Sequence, residues 1–329
     1  MVDQRGKREG RDGSRIRLTS DVVFKIVVTR QESLAFLKFI ISAFAPELGV
    51  ERITLVKAQS LEEIKEEFRK EVELDSNDIP PLFPYVSMKT VDVHCSLSTG
   101  EHVIVEMQAS PMHGDSMFRG FFNLVYRDVY LIGRLFGNQD VPMLMSLGER
   151  RHAAMRRVLL INVCDFTLFD DIDSFVNTAY LSLKNGYVVS RALGMTFVEL
   201  PKVDGLRGKP PADFKDAEAL ALFLRYAGEG DDRNLINGLS SRFEEIAMAD
   251  KILQEIITGP DGKDISEIIS GREKSMIDAY FMIQGAFEAG EARGEARGEA
   301  RGEARGEAKE RARVVQGLLA RGVSADVIA

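Results

Sequence analysis

The stretch Met88–Met112, MKTVDVHCSLSTGEHVIVEMQASPM, constrains the fold of this chain more than any other. Val91, Val93 and Cys95 share one face of its first half, and Asp92, His94 and Ser96 share the other. In the second half Val103, Val105 and Met107 lie on one face, with His102, Ile104, Glu106 and Gln108 on the opposite one. Alternation of period two on both sides of a short polar turn specifies a half-buried β-hairpin. Ser98-Thr99-Gly100 suits a three-residue loop, with Gly100 in the left-handed conformation that a Cβ resists. Such a loop sets the register so that paired residue numbers sum to 198. Asp92 then lies directly opposite Glu106, and His94 opposite Ile104.

Two carboxylates opposed on a strand pair repel each other. Either one takes up a proton, or a cation sits between them, or both are solvated on an exposed face. A hard cation such as Mg2+ takes oxygen ligands and keeps several waters, so two carboxylates and a backbone carbonyl suffice for it.

Asp92, thirteen intervening residues and then Glu106-Met107-Gln108 resemble the D…(D/E)xK core of the PD-(D/E)XK nucleases. The likeness is closest to the transposase-like, recombination-promoting (Rpn-type) branch, in which Gln replaces the last Lys. The resemblance implies an α/β fold with a restriction-endonuclease-like αβββαβ core and a C-terminal helical extension. It implies a metal, Mg2+ with Mn2+ as a substitute, held by Asp92, Glu106 and the Met107 carbonyl. Gln108 would orient a water or a phosphate oxygen. The implied activity is a DNA endonuclease that promotes recombination, hydrolysing phosphodiesters with a metal-activated water. The alternative is a DNA-binding or assembly protein that keeps the fold and cuts weakly or not at all. More distant is a structural α/β protein with a solvated hairpin.

The formal net charge of −8 gives no overall basic character, so DNA contact requires a local patch. No run of 18 apolar residues occurs, and the N-terminus MVDQRGKREGRDGSRIR is charged and Gly-rich with no apolar core. A cytoplasmic protein without a membrane span is expected. Cys95 and Cys164 sit in apolar runs without metal-ligand spacing, which reads as buried thiols in a reducing compartment.

Residues 1–17 read as a disordered basic arm, and the nuclease-like domain spans 18–230. Thr19 or Ser20 caps a helix that carries a DxxFK pattern, Asp21 to Lys25. That pattern resembles the helical opening of the Rpn-type family, which implies that Lys25 supplies the positive charge Gln108 lacks. Otherwise Lys25 is an ordinary surface lysine. A helix over Gln31–Phe44 ends at Pro46, and Ile53–Ala58 forms a short strand. The acidic segment Leu61–Asp78 reads as a solvated helix or insertion. Lys89 falls on the Val91 side, which weakens it as a candidate.

Met117–Phe136 reads as a helix with Phe118, Phe121, Phe122, Val125, Val129 and Ile132 as its stripe, stopped by Gly137. Arg119, Tyr126 and Arg127 resemble the family's R…Y pattern, which makes Arg119 and Arg127 phosphate-contact candidates; both are otherwise helix-surface arginines. His94, His102 and His113 lie near the carboxylates, but their spacing fits no transition-metal motif. Arg156–Phe166 is a continuous apolar strand of the kind buried on both faces. A strand over Met195–Leu200 and a helix over Asp213–Tyr226 extend the domain.

A helical extension follows over 231–290, and then Glu-Ala-Arg-Gly occurs four times within a linker spanning 291–310. Each Gly costs a helix about 1 kcal/mol against Ala, so the repeat reads as a weak helix or an extendable linker. The tail 311–329 has the pattern of a truncated helix-turn-helix, or of an amphipathic hairpin that docks or self-associates. The C-terminal helices are thus the expected route to a homo-oligomer.

Overall fold

A computed structural model of the protein describes residues 16–58, 60, 62–66, 92–109, 117–139, 155–230 and 232–322. The chain forms two compact units, Met1–Glu273 and Lys274–Ala329. The first is built on a mixed sheet of six strands in the order β1-β2-β3-β4-β6-β5. These are β1 (Ile53–Lys57), β2 (Val93–Leu97), β3 (His102–Gln108), β4 (Val158–Cys164), β5 (Val176–Ser182) and β6 (Val188–Glu199). The pairs β3–β4 and β4–β6 are parallel, and the others antiparallel.

The β2–β3 hairpin has the register expected of its loop, with Val93 opposite Val105, His94 opposite Ile104 and Cys95 opposite Val103. Gly100 holds φ at 92°, the left-handed conformation, and its N–H donates to the Leu97 carbonyl. Val93, Cys95, Val103, Val105 and Met107 enter the main core. Contrary to the half-buried reading, the other face is covered too. Ile104 packs there with Val158, Leu160, Leu131 and Ile132, the last two from α3 (Met117–Gly137). Of the expected α3 stripe, Ile132 is buried but Val129 is half exposed, and Leu131 takes its place.

On the main-core side lie α1 (Asp21–Thr29), α2 (Leu34–Phe44) and α4 (Asp216–Tyr226). Phe36 of α2 meets Phe223 of α4 edge-on, with ring centroids 5.7 Å apart. The helices α5 (Arg233–Ser240) and α6 (Glu244–Thr258) close over the same core through Leu235, Ile236, Leu239, Ile246 and Leu253. The residues that read as a helical extension therefore begin as part of the main core. β4 is buried along its whole length, as its unbroken apolar run requires. Cys95 and Cys164 are both buried and not joined in a disulfide, and burial pushes the Cys95 thiol up to about 12.

The helix α7 (Gly262–Ala320) begins in the first unit and carries all four Glu-Ala-Arg-Gly repeats in helical conformation. A turn follows at 321–322, with Gly322 at φ 82°. The second tail helix, the N-terminal arm up to residue 15, Lys89, His113 and most of the acidic segment lie outside the described residues. Residues 62–66 of that segment are helical. No helix among the described residues is long and apolar enough to cross a membrane.

Candidate active site

The ladder between β2 and β3 ends at Val93–Val105. Past it the strands are joined by side chains instead. The Asp92 N–H donates to Glu106 Oε1 at 2.9 Å, and the Met107 N–H donates to Asp92 Oδ2 at 2.8 Å. Each carboxylate thus satisfies a backbone donor that the ladder no longer reaches, as buried amides require. Asp92 is 7% exposed and Glu106 2%, so the solvated alternative does not hold.

A cation does stand at Asp92, and the chain supplies it. Lys25 Nζ lies 2.9 Å from Asp92 Oδ1. It is presented by α1, in which every residue from Val22 to Val28 is buried, so this lysine is not an ordinary surface one. Asp21, one turn earlier, lies 4.0 Å from the same ammonium and is itself held by Arg272 at 2.9 Å. The result is a row of alternating charge, Arg272–Asp21–Lys25–Asp92, ending at the strand fork.

Burial works against the Lys25 charge, but Asp92 and Asp21 outweigh it and hold the ammonium above its usual range. Burial pushes the Asp92 carboxyl up, with Asp21 adding to it, against the opposing pull of Lys25 and the Met107 N–H. The Asp92 oxygens accept from both of these donors, which is the arrangement of a carboxylate.

Beside Glu106, in register on β4, stands Asn162. It is fully buried and donates through Nδ2 to Asp128 Oδ2 at 2.8 Å, Asp128 being a fully buried residue of α3. Asn162 Oδ1 is buried without a hydrogen-bond partner among the described residues. The sequence holds a signal for it, a single amide inside the apolar run VLLINVC, which marks a polar group deliberately kept in a core.

Gln108 ends β3 on the same face as Glu106 by alternation, and its carbonyl accepts from the Asp165 N–H at 2.9 Å. The Met107 carbonyl points to the same strand edge as its N–H, and so toward the fork. Arg119 and Arg127 belong to α3, but their side chains lie outside the described residues. His94 and His102 meet each other rather than the carboxylates. His94 Nε2 is 3.2 Å from His102 Nδ1, which Ser96 Oγ also contacts at 3.1 Å. Burial, then His102 and Lys57, push His94 down to about 4, and burial and Lys57 also lower His102.

Compared with family models, curated proteins and solved structures, the chain matches none.

Among the described residues no three His, Cys, Asp or Glu side chains are grouped to hold a metal ion. A cation at the fork would therefore rest on two carboxylates and neutral oxygens. That donor set is all oxygen, which fits a small hard ion that retains its own waters and does not fit a thiolate- or imidazole-seeking one. The unpartnered Asn162 Oδ1 beside Glu106 is a further neutral acceptor of the kind such a hydrated ion satisfies. Asp92 spends two acceptor positions on Lys25 and Met107, out of roughly four that a carboxylate offers.

Proposed function

We propose that the protein is a Mg2+-dependent DNA endonuclease of PD-(D/E)XK type, with the β1–β4 strands and their flanking helices as a restriction-endonuclease-like core. One observation carries the reading. The buried carboxylates of Asp92, just before β2, and Glu106 of β3 meet at one fork, and a buried lysine ammonium pairs with Asp92 there. Asp92, Glu106 and the Met107 carbonyl would hold the ion, with Mn2+ able to replace Mg2+. When bound there, the ion lowers the pKa of a water and neutralises charge on the phosphate.

The chain's own groups do the rest. Lys25 offsets negative charge at Asp92 and stands ready to do the same for a phosphate oxygen, the task for which Gln108 has no charge. Gln108, on the Glu106 face, orients the attacking water through its amide. Arg119 and Arg127 contact the DNA backbone, which a chain of net charge −8 needs as a local attraction. Nicking or cutting of donor DNA is the step by which such an enzyme promotes recombination.

A second reading, a fold-retaining protein that binds DNA and cuts weakly or not at all, rests on a specific observation. The Asp92 carboxylate already has partners in Lys25 and Met107, so it is stable without an ion. Plasmid nicking by the purified chain separates the two. Cleavage with Mg2+ or Mn2+ but not with EDTA, reduced at least a hundredfold in both Asp92→Asn and Glu106→Gln, is the expected result. DNA binding without cleavage under either metal supports the second reading, and neither binding nor cleavage rejects both.

A further inference from the structure

β5 closes one side of the sheet, and among the described residues no strand lies beyond it. The Glu199 N–H donates to the Phe175 carbonyl at 2.8 Å, and the register continues with Asn177 opposite Phe197 and Ala179 opposite Met195. Odd-numbered residues therefore turn their backbone groups toward β6. By alternation Thr178 and Tyr180 turn theirs to the open edge. Edge strands are usually blunted by charge, proline or bulges. Val176–Ser182, VNTAYLS, has no charged residue and no proline, and its register shifts fall only at Tyr180–Ser182. The hairpin that it starts also exposes large apolar side chains. Leu181 is 65% exposed, Leu183 55%, Tyr187 67% and Val189 52%. Apolar groups gathered in this way mark an interaction surface.

We propose that β5 pairs antiparallel with β5 of a second copy of the chain about a two-fold axis at Ala179, joining the two sheets into one. The flanking charges select this occupant. Asp170, Asp171 and Asp173 precede the strand, and Lys184 follows it, all of them exposed. In the two-fold register paired numbers sum to 358, so Lys184 of each copy lies across from Ser174, beside the acidic run of the other. An antiparallel copy brings acid to base at both ends of the strand. A parallel copy would set Asp173 against Asp173, and like charges directly opposite are destabilising. At the centre the exposed Ala179 keeps side chains out of the way of close approach. A contact built from one strand and a few apolar side chains falls at the low end of specific interfaces, about 1,200 Å2 in total, and gives a concentration-dependent dimer.

The test uses the full-length chain in sedimentation velocity between low and high micromolar concentration. The wild type shifts from monomer to dimer over this range. Ala179→Lys and Leu181→Lys, both at exposed positions, keep their thermal melts and remain monomeric. A wild type that stays monomeric throughout, or a dimer that persists in both variants, overturns the proposal. The register is tested by Ala179→Cys under mild oxidation. Residue 179 pairs with itself at a non-hydrogen-bonded position, where Cα atoms lie about 4.5 Å apart, within disulfide reach. With Cys95 and Cys164 buried, a covalent dimer through residue 179 is the expected product. Its absence at concentrations where the wild type dimerises rejects the two-fold register.

Discussion

Removing the Lys25 ammonium leaves the Asp92 carboxylate buried, with the Met107 N–H still donating to it. Breaking a buried pair from one side costs about 3–5 kcal/mol, because the surviving charge is uncompensated. Lys25→Met is therefore expected to lower the urea midpoint steeply. The double variant Lys25→Met/Asp92→Asn should lose less than the two single changes added together, since no lone charge remains; strict additivity would show that the pair is not coupled.

At the same scale, His94 titrates at about 4 in the folded chain, below its ordinary 6.5. As pH falls, the unfolded chain takes the proton first. Stability present above about pH 6.5 is thus lost progressively toward pH 4, by roughly 2 kcal/mol after allowing for the ring's residual contact with water. His94→Gln should flatten that part of the pH–stability curve, and an unchanged slope would assign the acid sensitivity elsewhere. The nearness of Asp92 and Glu106 was legible in the sequence, because alternation and one loop glycine set a register that the ladder keeps up to Val93–Val105. The Arg272–Asp21 contact was not, since its partners lie 251 residues apart and no local pattern links them.

Among the elements, the hairpin depends on Gly100, whose φ of 92° strains any L side chain, and a Cβ there would also meet Arg156 at 3.1 Å. Gly100→Ala should cost about 1 kcal/mol or more in denaturant unfolding. A sharper steric test lies at Gly194 of β6, where a Cβ would stand 2.7 Å from Tyr180 and 2.8 Å from Leu159. Gly194→Ala is expected to destabilise by about 1–3 kcal/mol, as overpacking does, and a neutral result would mean that β5 and β6 separate easily.

The same pair of strands shows where pattern reading stops. β4 announces itself as an unbroken apolar run, whereas VNTAYLS is half exposed, mixed in polarity and bent at its end. The sequence therefore shows β6 only from about Met195, its buried part, and leaves β5 unmarked. The cover of the hairpin's second face was also hidden. That face carries His94 and Ser96, polar residues that gave no sign of the cover that α3 provides with Leu131 and Ile132 across Ile104.

Taken as a whole molecule, the first unit joins its early and late helices in one core, because α2 and α6 both present apolar faces to it. The repeat in α7 is helical in spite of its glycines, and a Cβ at Gly294, Gly298, Gly302 or Gly306 would meet nothing within 4 Å. Replacing all four by Ala should strengthen the helix by up to about 1 kcal/mol each and raise the temperature at which its circular dichroism signal is lost. No gain would show that the repeat is held by something other than its own propensity.

If Asp92 and Glu106 form one site for a hard divalent ion, electron paramagnetic resonance of Mn2+ titrated into the full-length chain reads its occupancy. The expected result is one bound ion per chain, displaced by excess Mg2+, with binding weakened at least tenfold in both Asp92→Asn and Glu106→Gln while each retains a cooperative melt. Binding that is unaltered in either variant, or no binding to the wild type, would contradict it.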